Sequence, residues 1–209
     1  MEKERKYKVS IVLAAYNTID FIKPCLNSIP IRTDVEVILV DDSSDDGTEI
    51  ELLKYCHQNP NCTFIHNKTN LGFALSKNVA YDIASGEYIT QLDSDDEYYT
   101  DVFNDIIDHD LKADIVYFDM QVNDGRIWRS SLNTRFTIMD HCNLVKRDLI
   151  GNHRCPNVSH GSGVYLNNDI QKELDKRKGK IYYTNKCAYK YNFPREGSIL
   201  DLNAKGLLK

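Results

Sequence analysis

Asp93, Asp95 and Asp96 come directly after the β-type run Tyr88-Ile89-Thr90-Gln91-Leu92, so three carboxylates crowd the end of one predicted strand. Like charges at that spacing repel, and a cation between them relieves the repulsion. A divalent metal is the simplest such cation: carboxylate oxygens suit Mg²⁺ or Mn²⁺, which keep open positions for the oxygens of a diphosphate. An isolated Asp-Ser-Asp can equally be an acidic turn that caps the next helix. Here a second acidic cluster, Asp41-Asp42, closes another apolar run, Val35-Glu36-Val37-Ile38-Leu39-Val40.

The elements that must position these clusters alternate. Val9-Ser10-Ile11-Val12-Leu13-Ala14-Ala15 reads as a buried strand ended by Tyr16-Asn17-Thr18, and a helix follows with Phe21, Ile22, Cys25, Leu26 and Ile29 at helical spacing. Pro24 fits that helix only in its first turn. After the second strand and the loop Asp41 to Thr48, a helix runs to about His57, and Cys62 to His66 is a third strand. Asn70-Leu71-Gly72 opens a helix through Ala74, Leu75, Val79, Ala80 and Ile83 that Gly86 stops. Three β-α-β steps predict an α/β fold: a mostly parallel sheet with helices on both faces and a Rossmann-like first half. Both Asp-rich strand ends then share the carboxyl edge, where open α/β sheets bind ligands. Beyond residue 100 the alternation stops. A helix around Asp101 to His109, a strand Asp114 to Phe118, a hairpin through Asn123-Asp124-Gly125-Arg126 and a helix Leu166 to Lys178 are expected there.

With 209 residues the chain suits one domain. Its apolar fraction of 42% and charged fraction of 27% are ordinary for a globular protein, and no apolar run has the length of a membrane span. The charged stretch Met1 to Lys8 lacks the apolar centre of a secretory signal, so a cytoplasmic location is expected, with peripheral contact at a membrane surface left open. Six scattered cysteines without a Cys-x-x-Cys pair predict free thiols and no Cys/His zinc site. The net charge is -5, yet Lys176, Arg177, Lys178, Lys180, Lys186, Lys190 and Arg195 make the tail basic. That run is either a surface for an anionic acceptor, membrane or nucleic acid, or a solvated helix face.

In this order and spacing the motifs resemble the family 2 glycosyltransferases of GT-A fold over nearly the whole chain. Val9 to Asn17 with Cys25-Leu26-Asn27-Ser28-Ile29 resembles that family's first strand and helix, and Val40 to Thr48 its nucleotide-binding loop. Asn70-Leu71-Gly72, Ser76-Lys77-Asn78 and Ser85-Gly86-Glu87-Tyr88-Ile89 resemble the approach to its metal-binding Asp-x-Asp motif at Asp93-Ser94-Asp95. The resemblance implies a metal-dependent, inverting transferase with Mn²⁺ or Mg²⁺ as cofactor and a nucleoside-diphosphate sugar, a UDP-sugar above all, as donor. The acceptor it implies is a glycan or lipid-linked glycan; a protein or nucleic acid acceptor stays open, though nothing indicates one. It also implies a nucleotide-sugar and metal-binding half over about 1–100 and an acceptor-side half over about 101–209. Tyr16 would lie beside the base, Asp41 or Asp42 would accept a hydrogen bond from base or ribose, and Asp93 would face ribose or metal. Asp95, with Asp96 nearby, would hold the metal, and Lys77 would touch phosphate or else be a solvated helix residue.

Two departures concern the acceptor side. His141-Cys142-Asn143 stands where the family has Trp-Asn-Lys, and Ser162-Gly163 stands where it has the Glu-Asp pair that supplies the catalytic base. His160 and Asp169 are the nearest titratable substitutes. Two other functions share the crevice: a nucleotide-sugar-binding module or partner subunit without turnover, and a nucleotidyltransferase. The second lacks an Arg/Gly-rich triphosphate loop near the start.

Overall fold

The computed structural model describes residues 7–131, 142–158 and 162–193. β1 (Val9–Ala15) and β2 (Val35–Asp41) are buried at every position, as continuous apolar runs are when a sheet is covered on both faces. They run parallel to each other and to β3 (Cys62–His66) and β4 (Tyr88–Gln91). The crossovers carry α1 (Ile19–Ser28), α2 (Thr48–Gln58) and α3 (Phe73–Ile83). Then come β5 (Glu97–Tyr98), α4 (Thr100–His109), β6 (Ile115–Val122), β7 (Ile127–Trp128), β8 (Asn143–Lys146), α5 (Arg147–Ile150), α6 (Ser162–Arg177) and β9 (Ile181–Tyr191).

All strands join one sheet in the order β3-β2-β1-β4-β8-β6-β9-β5, with β7 paired to β6. The long pairings, β1 with β2 and β6 with β9, are parallel, whereas the antiparallel ones that insert β8 between β4 and β6 are short. The fold is therefore α/β with a mostly parallel sheet. Alternate strand residues serve opposite faces. Val9, Ile11, Leu13, Val37 and Leu39 pack with Ile22, Leu26 and Leu52 of α1 and α2 and with Phe103 and Ile106 of α4. Val12, Ile38, Val40 and Ile89 pack with Ala80 and Tyr81 of α3 and with Leu149, Leu166 and Ile170 of α5 and α6. Both clusters mix residues from the two halves of the chain. Because α1 and α3 cover opposite faces while β1 and β4 are neighbours, the strand order reverses there, and a crevice opens beyond their carboxyl ends.

Four elements differ from the sequence expectation. Pro24 is the sixth residue of α1, beyond the first turn, and is tolerated because it and Asp20, whose carbonyl loses its amide partner, are both exposed to water. β5 and β8 are too short to show a period. Residues 181–191 form a single strand, with Asn185 at φ 54 beside the irregular pairing to β6.

Gly86 meets β1 at a backbone approach that admits no side chain. A Cβ there would lie 2.6 Å from the Ser10 nitrogen and 2.8 Å from the Val9 carbonyl carbon. Gly86→Ala should cost on the order of 2 kcal/mol, read as a lower urea midpoint with unchanged slope.

Candidate functional site at the carboxyl edge

The ends of β1 and β2 clamp each other. Ala15 pairs with Asp41 in register, and the Asp42 amide donates to the Ala15 carbonyl at 2.8 Å. Asn17, left-handed at φ 50, donates from Nδ2 to Asp45 Oδ1 at 2.9 Å and accepts from the Asp45 amide at 3.0 Å. Asp46 accepts from the Ile19 and Thr48 amides, both at 2.9 Å, so one carboxylate caps the first turns of α1 and α2. Tyr16 stands at this edge 49% exposed, with its ring available to a flat partner.

The structure sends the two adjacent aspartates to opposite faces of β2. Asp42 turns to α3: its Oδ1 accepts from Asn67 Nδ2 at 2.9 Å and the Leu71 amide at 2.8 Å, and its Oδ2 from the Gly72 amide at 2.8 Å. Asn67 donates onward to Ser76 Oγ at 2.9 Å. Asp42 thus anchors the loop that opens α3, where Gly72 takes φ 84. Asp41 turns instead to α2, accepting from the Ser44 amide at 3.2 Å and contacting His66 Nδ1 at 2.9 Å.

The acidic turn sorts its three carboxylates. The Asp96 amide bonds the Asp93 carbonyl at 3.0 Å, closing a turn in which Asp93 and Asp95 are half-buried and Ser94 and Asp96 are buried. Lys77, only 1% exposed, reaches from α3 to Asp93 Oδ1 at 2.8 Å with its ammonium 3.7 Å from the Phe73 ring centroid. It is therefore a buried cation at the turn and not a solvated helix residue. Asp96, expected beside the metal, faces β9: its Oδ2 accepts from Tyr189 O–H at 2.7 Å and its Oδ1 from the Asn192 amide at 2.8 Å. Burial, then the charges of Asp93 and Asp95, push the Asp96 carboxyl well up. Burial and the same three carboxylates raise the Cys25 thiol behind the turn, so it stays protonated. Asp93 and Asp95 remain as half-exposed oxygen donors, a set that fits Mg²⁺ or Mn²⁺.

On the acceptor side, His160 and His141 lie outside the described residues. Asp169 sits on α6 in an ion pair with Lys172 at 2.8 Å, and that hydrogen bond lowers its carboxyl from the ordinary value. The basic tail is largely neutralised in place: Lys176 and Arg177 pair with Glu173, Lys186 with Asp105 and Asp110, and Lys190 with Glu97. Arg195 is outside the described residues. Among the described residues no helix is long and apolar enough to cross a membrane. Sequence reading missed the roles of Asn67 and Tyr189, which meet Asp42 and Asp96 from distant elements, and of Ser76, which accepts from Asn67; none carries a local signal.

Comparison with known proteins gives a consistent result. The family described as "Glycosyl transferase family 2" matches residues 10–173. The minor teichoic acid biosynthesis protein GgaB of Bacillus subtilis (strain 168) is 27% identical over 98% of the chain, which spans 25% of GgaB. S. aureus TarS 1-349 in complex with UDP-GlcNAc superposes with a TM-score of 0.76 at 24% identity, covering 92% of this chain and 60% of that one. The mannosyltransferase PcManGT of Pyrobaculum calidifontis, in complex with GDP-Man and Mn²⁺, superposes at 0.68 with 17% identity, covering 94% and 62%. The chain thus spans about a quarter of GgaB and about three fifths of these structures.

Removing Lys77 leaves Asp93 facing Asp95 without its cation. Since Asp93 is 22% exposed, water screens part of the loss, and Lys77→Met should cost about 2 kcal/mol. Lys77→Met with Asp93→Asn should recover a measurable part in a denaturation double-mutant cycle; additive losses would show that the pair is not coupled.

Proposed function

The chain belongs to glycosyl transferase family 2, and from that premise we propose that it transfers a sugar from a UDP-sugar to an acceptor hydroxyl, with a divalent metal and inversion at the anomeric carbon. The observation that carries the reading is the pair Asp93 and Asp95 beside the buried Lys77, on the edge where Asp42 holds the loop that opens α3. The UDP-GlcNAc bound to TarS supports the donor class, and the Mn²⁺ in PcManGT supports the metal. GgaB's role in teichoic acid synthesis supports a cell-envelope glycan or lipid-linked glycan as acceptor, reached from the cytoplasmic side with peripheral membrane contact.

In this reading Tyr16 stacks on the base. Asp42 faces the nucleotide through the remaining lone pair of Oδ2, while Asp41, turned to α2, does not. Asp93 and Asp95 hold Mn²⁺ or Mg²⁺, which when bound supplies a Lewis acid for the diphosphate. Lys77 places a second positive charge beside it, desolvated and fixed against Phe73, where it opposes the charge of the leaving group without reorganising. As the acceptor oxygen bonds to the anomeric carbon and the bond to the diphosphate oxygen breaks, the acceptor proton must go to a base. Ser162 and Gly163 cannot take it. Of the two candidates, His160 carries an imidazole, the side-chain type suited to taking a proton near neutral pH, and is first choice. Asp169 is second choice, because Lys172 lowers its basicity.

Transfer assays with UDP-sugars should show product with the released nucleotide as UDP. His160→Ala should lower kcat about a hundredfold with donor affinity intact, and Asp169→Asn should stay near wild type. The reverse pattern would move the base to Asp169. Donor binding without any transfer would make the chain a nucleotide-sugar-binding module instead. A separate pair of variants tests the nucleotide assignment: Asp42→Asn should weaken UDP affinity at least about tenfold in calorimetry, and Asp41→Asn should not.

A further inference from the structure

A second set of donors lies on the face of β2 that the proposed nucleotide site leaves unused. We propose that Asp41, Glu49 and His66 bind a divalent first-row transition cation, which ties β2, α2 and β3 together beside the carboxyl edge. The three residues come from different elements: Asp41 ends β2, His66 ends β3 in register with it, and Glu49 lies in the first turn of α2. His66 Nδ1 is 2.9 Å from Asp41 Oδ2 and 3.4 Å from Glu49 Oε1, and one ligand atom from each residue lies within 4.8 Å of the others. Neighbouring ligands on a cation with bonds of about 2.1 Å stand about 3.0 Å apart at right angles and about 3.4 Å apart at the tetrahedral angle. The imidazole nitrogen already stands at such separations from both carboxylates, which lie within 4.8 Å of each other.

Asp41 supplies the second observation. Its side chain is fully buried, and its Oδ1 has no hydrogen-bond partner among the described residues. A buried carboxylate oxygen without a donor is unfavourable, and a cation held by both Asp41 oxygens, Oδ2 beside His66 and Oδ1 bidentate with it, provides the missing partner. The other two ligands give it a way in, since the side chains of His66 and Glu49 are 40% and 42% exposed. One imidazole nitrogen with two carboxylates selects Mn²⁺ or Zn²⁺ over Mg²⁺, which prefers oxygen alone. The same nitrogen distinguishes this site from Asp93 and Asp95, which offer only oxygens.

Mn²⁺ added to the tag-free protein and followed by pulsed electron paramagnetic resonance tests the proposal. Wild-type protein should show modulation from a directly bound imidazole nitrogen, and Asp95→Ala should keep it. His66→Ala should abolish the modulation, and Glu49→Gln should weaken the Mn²⁺ affinity that produces it at least about tenfold. Both altered side chains are part-exposed, and circular dichroism checks that the variants fold. No nitrogen modulation in the wild type, or modulation that survives His66→Ala, overturns the assignment.

Discussion

Carboxylates concentrated at one edge of a sheet repel one another, at about 4 kcal/mol for a pair 4 Å apart near a protein surface, and the structure answers by giving each a different partner. Lys77 sits against Asp93, two backbone amides and Asn67 against Asp42, and Tyr189 with the Asn192 amide against Asp96. These partners come from α3, the loop before it and β9, so neutralising the edge also assembles it. Asp93 and Asp95 stay half-buried at that edge, Asp93 against Lys77.

Tyr189 shows how far this dependence reaches. Its ring packs edge to face with Tyr98 in the buried cluster that includes Phe103 and Phe118, its hydroxyl donates to Asp96, and the same oxygen lies 3.3 Å from the Asp93 amide. The last described strand of the chain is thus bonded to the turn of the fourth. A change in β9 would be felt at the acidic turn through this one hydroxyl, because packed cores transmit displacement instead of absorbing it.

Much of this was legible in the residues. The buried runs of β1 and β2 lack alternation, which identifies strands covered on both faces, and the Asp clusters that follow β2 and β4 fall on one carboxyl edge. The sorting of the clusters was not legible. Asp41 and Asp42 are adjacent in sequence and chemically identical, and only the pleat of β2 sends one to α2 and the other to α3. Asp96 looked like part of the metal set until Tyr189 and Asn192, more than ninety positions away, claimed its oxygens. Lys77 could be a solvated residue or a buried cation by sequence, and its burial against Phe73 rules out the first. Short strands such as β5 and β8 carry too few residues to show a period, so their places, β8 between β4 and β6 and β5 at the edge beside β9, emerge only from tertiary pairing.

The central claim is that Asp93 and Asp95 form an oxygen site whose metal joins the protein to a nucleotide diphosphate. Calorimetric titration of UDP-GlcNAc into wild-type and Asp95→Ala protein, each with Mn²⁺ and with a chelator, addresses it most directly. The account predicts binding to wild type that needs Mn²⁺ and no Mn²⁺-dependent gain in Asp95→Ala, with the thermal midpoint of the metal-free variant at or above that of wild type because one repulsive charge is gone. Equal Mn²⁺-dependent affinity in the two proteins would contradict it.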